Sequence, residues 1–269
     1  MTMLSAPRPR KTIGQHFLID PNIVRKTLDL SALQYEELVL EVGPGRGILT
    51  RALCRRVRRV IAVEIDPRLV EYLKHSLADC PNLELHLGDA LEFPYEGLPE
   101  DTVVVANLPY YVSTPLLFRI LESRDRFSRL IVMLQAEVAA RLIAQPGTSQ
   151  YGILSVLIQA WAIPSLGFRV SPGCFRPRPD VTSAVVHLTI RKGGGLRLPD
   201  DQTFARTVRA AFSHRRKTLA NSLRHAGLPA GTVALALAEA GIEPTRRAET
   251  LSLEDFSTLA AALSAAQGS

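Results

Sequence analysis

Between Leu38 and Ile190, short apolar runs rich in β-branched residues alternate with longer stretches of mixed character. Strands are read at Leu38–Val42, Val60–Val63, Leu83–Leu87, Val103–Ala106, Leu130–Leu134 and Val185–Ile190. Short runs of this kind, closed by Gly, Asn, Asp or Pro, predict buried strands entering tight turns. Helix starts lie between them. Asp20-Pro21 and Asp66-Pro67 each join an N-cap side chain to a proline at the first helical position. A helix from Ile48 to about Arg55 follows a glycine-rich turn, and Ser113-Thr114-Pro115 opens another. Strands alternating with helices predict an α/β fold. Past Gly193-Gly194-Gly195 the pattern changes to amphipathic, alanine-rich runs at Phe204–Phe212, Thr218–Leu223, Thr232–Ala240 and Leu253–Leu263, the last with Ser252 as N-cap. The triple glycine reads as a flexible joint between one domain over 1–192 and a smaller helical one over 196–269.

The residues at the carboxyl ends of the strands narrow the class. The first strand runs into Glu41-Val42-Gly43-Pro44-Gly45-Arg46-Gly47. Glycines at such a turn let a ligand approach the backbone closely, so Gly43 and Gly45 are candidate contacts, and helix-end N–H groups lie beside them. The spacing G-x-G-x-G is not the G-x-G-x-x-G of dinucleotide sites. The second strand ends at Glu64, roughly twenty residues further on, where an acid can accept both hydroxyls of a ribose. The third ends at Gly88-Asp89-Ala90, and Asp89 is placed to accept a hydrogen bond from an adenine amino group. The fourth ends at Asn107-Leu108-Pro109-Tyr110. The Asn107 amide oxygen and the Pro109 carbonyl can each accept one hydrogen of an exocyclic amine, while Tyr110 offers a face for a flat base. Glu64 as a solvated strand end, Asp89 as a helix cap and the tetrapeptide as an ordinary turn are the plain alternatives. Their ordered succession on four strand ends argues for one binding edge. Phe175, ahead of Arg176-Pro177-Arg178-Pro179, is either a second aromatic face for a base or ordinary core packing.

Composition changes this picture at two points. The formal charge of +6 over 269 residues makes a polyanion a plausible partner. Arg206, Arg209, His214, Arg215, Arg216, Lys217 and Arg224 cluster within the helical part, where Arg215-Arg216-Lys217 falls between helices and reads as phosphate-binding rather than as a solvated face. Arg246-Arg247 is expected to join it. Three scattered cysteines and six scattered histidines give neither a disulfide framework nor a metal spacing, so no metal site is expected and a reducing compartment is the default. No signal peptide is read at the N-terminus, and the longest apolar-rich segment, Ile153 to Ile163, is too short to span a bilayer. The expectation is a soluble, cytoplasmic protein with no membrane partner.

Five segments together carry a resemblance. Gly14-Gln15-His16-Phe17-Leu18, Glu41–Gly47, Asn107–Tyr110, Phe175-x-Pro177-x-Pro179-x-Val181-x-Ser183 and the stretch Ala211–Leu223 resemble the ribosomal RNA adenine dimethyltransferase family from about Lys11 to the end of the chain. The resemblance implies a Rossmann-like class I methyltransferase sheet of seven strands, a small helical C-terminal domain and S-adenosylmethionine as methyl donor. It carries the donor-binding positions onto His16, Leu18, Gly43, Glu64, Asp89 and Asn107; His16 stands where many members have Asn, and either side chain can hydrogen-bond. The implied reaction gives N6,N6-dimethyladenosine, and no general base is expected. Arg215-Arg216-Lys217 favours members that act as monomers on small-subunit ribosomal RNA during subunit assembly. A methyltransferase of large-subunit RNA, or an assembly factor with little catalysis, are the alternatives.

Overall fold

The computed structural model describes residues 6–10, 15–192, 199–214 and 216–267. The triple glycine and Arg215 therefore lie outside the described residues. In chain order the elements are β1 (Phe17–Leu18), α1 (Pro21–Ser31), β2 (Leu38–Val42), α2 (Ile48–Cys54), β3 (Arg59–Glu64), α3 (Pro67–Ser76), β4 (Leu83–Leu87), β5 (Thr102–Asn107), α4 (Ser113–Glu122), β6 (Phe127–Gln135), α5 (Ala136–Leu142), α6 (Ile153–Trp161), β7 (Ala162–Val170), β8 (Phe175–Arg176), β9 (Ser183–Ile190), α7 (Asp201–Ala211), α8 (Leu219–His225), α9 (Ala230–Glu239) and α10 (Leu253–Gln267).

Seven strands form one sheet in the order β4-β3-β2-β5-β6-β9-β7; six answer to strands read in the sequence, whereas the edge strand β7, interrupted by Pro164 and Gly167, does not. β2 pairs in parallel with β3 and β5, β3 with β4, and β5 with β6, whereas β9 runs antiparallel to β6. Strands buried on both faces have no polar face to show, so they read as unbroken apolar runs. Val39, Leu40, Val60, Val103, Val104, Val105, Leu130, Ile131 and Val132 are all fully buried. Chain order reverses between β2 and β5, and the crevice at such a switch point is where open α/β sheets bind ligands. The helix starts also form as read: Asp20 accepts from the Asn22 N–H, Asp66 from the Arg68 N–H, and Ser252 from the Asp255 N–H. A two-stranded ribbon, β1 with β8, escapes the periodicity because it pairs only Phe17 with Arg176 and Leu18 with Phe175.

Gly47 shows how the turn after β2 is constrained. Its φ is 80°, and an added Cβ would sit 2.7 Å from Leu73 Cδ2 on α3. Left-handed backbone costs a residue with a Cβ roughly 1–2 kcal/mol before any clash. Gly47→Ala is therefore expected to lower the unfolding free energy by about 2 kcal/mol in urea titration; an unchanged midpoint would mean that α3 yields freely.

The chain divides into two compact units, and its last passage from one to the other falls at Ile190/Arg191, just before the triple glycine in the sequence. One runs through Ala139 and resumes over Pro164–Ile190; the other takes Ala140–Ile163 and Arg191 onward. That Ala140–Ile163 joins the second unit rather than the domain read over 1–192 has a physical cause. α6 buries Ser155, Val156, Leu157, Ile158, Ala160 and Trp161, so it is apolar on most of its circumference and needs helices around it. In the second unit Tyr151 donates to the Leu251 carbonyl at 2.9 Å, Trp161 Nε1 donates to Asp201 at 3.1 Å, and Tyr151, Phe212 and Phe256 form a chain of ring contacts at 6.3 and 5.7 Å.

Candidate active site

A pocket opens at the carboxyl ends of β2, β3, β4 and β5, and its lining includes His16, Leu18, Gly43, Gly45, Glu64, Asp89, Asn107, Pro109 and Tyr110. The glycine loop builds its floor. Gly43 takes φ 69°, and its N–H donates to the Val63 carbonyl at 2.9 Å, tying the loop to β3. Glu64 is buried at the end of β3 and braces both sides of the turn, Oε2 accepting from the Gly45 N–H at 3.2 Å and Oε1 from the Asp66 N–H at 3.0 Å. Burial raises its pKa, against those two backbone donors. Asp89 Oδ1 accepts from the Leu91 N–H at 2.9 Å, which fixes the carboxylate in the wall.

The end of β5 supplies a different kind of group. Asn107 Oδ1 is buried and has no hydrogen-bond partner. A buried carbonyl oxygen left unpaired costs roughly 1–3 kcal/mol, so such atoms in native proteins call for an explanation. The Pro109 carbonyl accepts from the Val112 N–H at 3.1 Å, which uses one of its two lone pairs and fixes its direction. Two acceptors thus stand a turn apart beside Tyr110.

Tyr110 is half-buried rather than openly exposed. Its hydroxyl shares a short hydrogen bond with the Ser183 hydroxyl on β9, and its ring stacks on His16 at 5.6 Å with 24° between planes. His16 is held in turn by Nδ1 donating to the Pro177 carbonyl at 2.8 Å. The proline loop therefore orients the tyrosine through the histidine. Leu18, on β1, is buried beneath the same wall. Phe175 corrects the open reading of the sequence: it is fully buried in the core with Leu18, Ile23, Val24 and Val185, so it presents no face for a base. Core packing wins because β8 pairs Phe175 with Leu18 and turns its ring inward.

Two pocket residues carry more than their place in the sequence suggests. Glu41 sits at the base of the pocket with Oε2 buried and unpartnered. Burial pushes its pKa up to about 8; the Thr50 hydroxyl offsets this in part, and the Glu64 charge adds to it. The acid was visible as the residue two before Gly43, but its isolation was not. Tyr111 follows Tyr110 and remains 58% exposed while lining the pocket, a distinction between adjacent tyrosines that only the fold makes.

In the helical unit Arg216 and Lys217 are exposed, on the turn between α7 and α8. Arg246 and Arg247 do not stand free beside them as expected. Arg246 pairs with Asp255 at 3.1 Å and donates to the Thr250 carbonyl, and Arg247 lies 3.9 Å from Glu249. They brace the approach to α10. Among the described residues no group of three His, Cys, Asp or Glu side chains is arranged to hold a metal, and no helix is long and apolar enough to cross a membrane.

A seven-stranded sheet with an acceptor-lined pocket at its switch point is the architecture of the Rossmann-like class I methyltransferases. The chain belongs to the ribosomal RNA adenine dimethylase family, whose model matches residues 7–265. It is 46% identical over 269 residues to Ribosomal RNA small subunit methyltransferase A of Geobacter metallireducens, covering 97% of this chain and 98% of that one. It is 42% identical to the protein of the same name from Moorella thermoacetica, over 95% and 92% of the two chains. Among solved structures, a dimethyladenosine transferase from Plasmodium falciparum matches with a TM-score of 0.77 at 27% identity, over 91% of this chain and 96% of that one. The 23S rRNA methyltransferase ErmE matches with a TM-score of 0.71 at 28% identity, over 92% and 99%.

Proposed function

We propose that this chain transfers methyl groups from S-adenosylmethionine to N6 of adenines in small-subunit ribosomal RNA, giving N6,N6-dimethyladenosine. The observation that carries this reading is the buried, unpartnered Asn107 Oδ1 beside the Pro109 carbonyl, an acceptor pair that matches the two hydrogens of an exocyclic amine. The rest of the pocket fits the donor. Its acidic side chains (Glu41, Glu64, Asp89) suit ribose hydroxyls, an amino group and positive charge, although Arg46 also lines the pocket, and Gly43 and Gly45 leave the backbone open to close approach.

When bound, S-adenosylmethionine supplies an electrophilic methyl group on a sulfonium, so the protein's task is chiefly positioning. Glu64 takes the ribose and Asp89 the amino group of the donor's adenine, with His16, Leu18 and the glycine loop closing the remaining sides. The lone pair of the target N6 is delocalised into its ring and poorly nucleophilic. Asn107 Oδ1 and the Pro109 carbonyl, each accepting one N6 hydrogen, favour a tetrahedral nitrogen with its lone pair turned toward the methyl group. Orientation of this kind is worth effective molarities of about 10⁵–10⁸ M, and no general base is required before attack. The target base must leave its stack at a cost of a few kcal/mol, least in an unpaired loop, and stacking on Tyr110 offsets it by about 1–3 kcal/mol. Tyr110 suits that role because Ser183 and His16 hold its ring in place, leaving the face opposite His16 for a base.

The small-subunit reading rests on relatives at 40–46% identity that carry that name, and on the sequence Arg215-Arg216-Lys217 as a phosphate contact. It puts the protein in the cytoplasm, acting as a monomer on the assembling subunit. Labelled S-adenosylmethionine offered with unmethylated small subunits, and in parallel with large-subunit RNA, tests it. Dimethyladenosine in the small-subunit RNA is expected; label confined to large-subunit RNA would keep the chemistry and overturn the partner. Tight small-subunit binding without label would favour an assembly factor.

Neutralising Arg215, Arg216 and Lys217 together should weaken small-subunit binding and flatten its salt dependence. Each phosphate that no longer meets a cationic side chain lowers the log–log salt slope by about 0.7–0.9, so three such phosphates predict a drop of about two to three. An unchanged slope in filter binding from low to high salt would return the turn to a merely solvated surface.

A further inference from the structure

Tyr110 and Tyr111 are neighbours in the chain, but they face opposite sides of the sheet's upper edge. The Tyr110 hydroxyl reaches Ser183 on β9, across β6 from β5. The Tyr111 phenol lies within the fields of Asp89, past the end of β4, and Glu64 at the end of β3; burial first, then these two carboxylates, disfavours its ionisation. The sheet order β4-β3-β2-β5-β6-β9 puts those directions on opposite sides of β5. Tyr111, 58% exposed, shares the pocket lining with Ile65, 48% exposed and just past β3. Two large side chains left partly in water in one pocket wall form a surface for a flat ligand. The pocket wall continues below Tyr111 into Ala90, Val112 and Leu116, all apolar.

We propose that Tyr111 closes over the nucleoside end of the methyl donor, stacking its ring against the donor's adenine, and so governs donor and product retention rather than RNA recognition. The two tyrosines then divide the pocket, Tyr110 serving the base that receives the methyl group and Tyr111 the base that belongs to the donor. This rests on the reading that Glu64 and Asp89 hold the donor's nucleoside.

The test is direct binding by calorimetry of S-adenosylmethionine, S-adenosylhomocysteine and adenosine to wild type, Tyr111→Ala, Tyr111→Phe and Asp89→Asn, with small-subunit affinity measured by filter binding. Loss of one base–aromatic stack predicts that Tyr111→Ala weakens all three ligands by about 5- to 150-fold. Tyr111→Phe, which keeps the ring, should stay within about threefold of wild type, and small-subunit affinity should not change in either. Unchanged ligand affinity in Tyr111→Ala overturns the proposal, as does a loss of small-subunit affinity with ligand binding intact, which would hand the ring to the RNA. Should Asp89→Asn also leave adenosine and donor binding untouched, the assignment of the nucleoside to that side fails; weakening by Asp89→Asn alone sinks only the role of Tyr111.

Discussion

Asn107→Ala is expected to cut methyl transfer by at least a hundredfold while leaving small-subunit affinity within a few-fold and the fold at least as stable as wild type. Each part has its own cause. Removing one preorganised group that acts on the reacting centre costs about 10²–10³ in turnover where this has been measured in other enzymes. On the proposed reading, base stacking on Tyr110 and phosphate contacts elsewhere survive, so affinity should change little. Stability is the more discriminating part. Asn107 Oδ1 is buried with no partner, so truncation removes an unsatisfied polar atom rather than a hydrogen bond. A residue kept for structure would lose stability on truncation, whereas this one should lose only rate. Single-turnover kinetics with bound donor, beside urea unfolding of the same variant, separates the two. Near-normal turnover would remove Asn107 from the chemistry, and a large drop in stability would make its role architectural.

The parts of the fold legible in the sequence are those governed by local rules. Parallel strands covered on both faces can only be apolar runs, and Asp-Pro pairs at helix starts satisfy backbone donors with few competing conformations. The strand-end series Gly43, Glu64, Asp89 and Asn107 was legible for the same reason: the sheet carries all four ends to one edge. What escaped depends on long-range burial. Phe175 and Tyr111 are both aromatic residues beside turns, yet one is fully buried by the β1–β8 ribbon and the other lies open at the pocket, and no local periodicity separates them. Arg246 looked like part of a basic patch until Asp255, nine residues on in the chain, proved to pair with it. The helical segment over 140–163 falls within 1–192 when the boundary is read from the triple glycine, because an apolar helix does not declare in its sequence which core buries it.

Glu41→Gln is expected to raise the unfolding free energy at pH 8.5 by several kcal/mol and to change it little at pH 5. The ordinary carboxyl pKa of 4.5 is pushed up to about 8 in the folded chain, burial being the main cause. Between those values the folded protein holds a proton that the unfolded chain gives up. Stability therefore falls as pH rises through that window, with the full loss reached above pH 8 and none of it present below the unfolded pKa. At 1.36 kcal/mol per pKa unit the limit is about 5 kcal/mol, and relaxation around the charge will bring the observed value below it. Glutamine keeps the shape and cannot ionise, so its unfolding curve should lack this pH dependence. Urea unfolding of both proteins from pH 5 to 8.5 decides the matter: curves that run parallel would mean that Glu41 is already ionised in the fold. Donor binding gives a second reading of the same carboxylate. A sulfonium and an ammonium brought into the pocket stabilise the Glu41 anion, so saturating S-adenosylmethionine should narrow the gap between the two proteins at pH 8.5. Stabilisation by a ligand follows its affinity for the folded state, and here the carboxylate adds to that affinity only in the wild type.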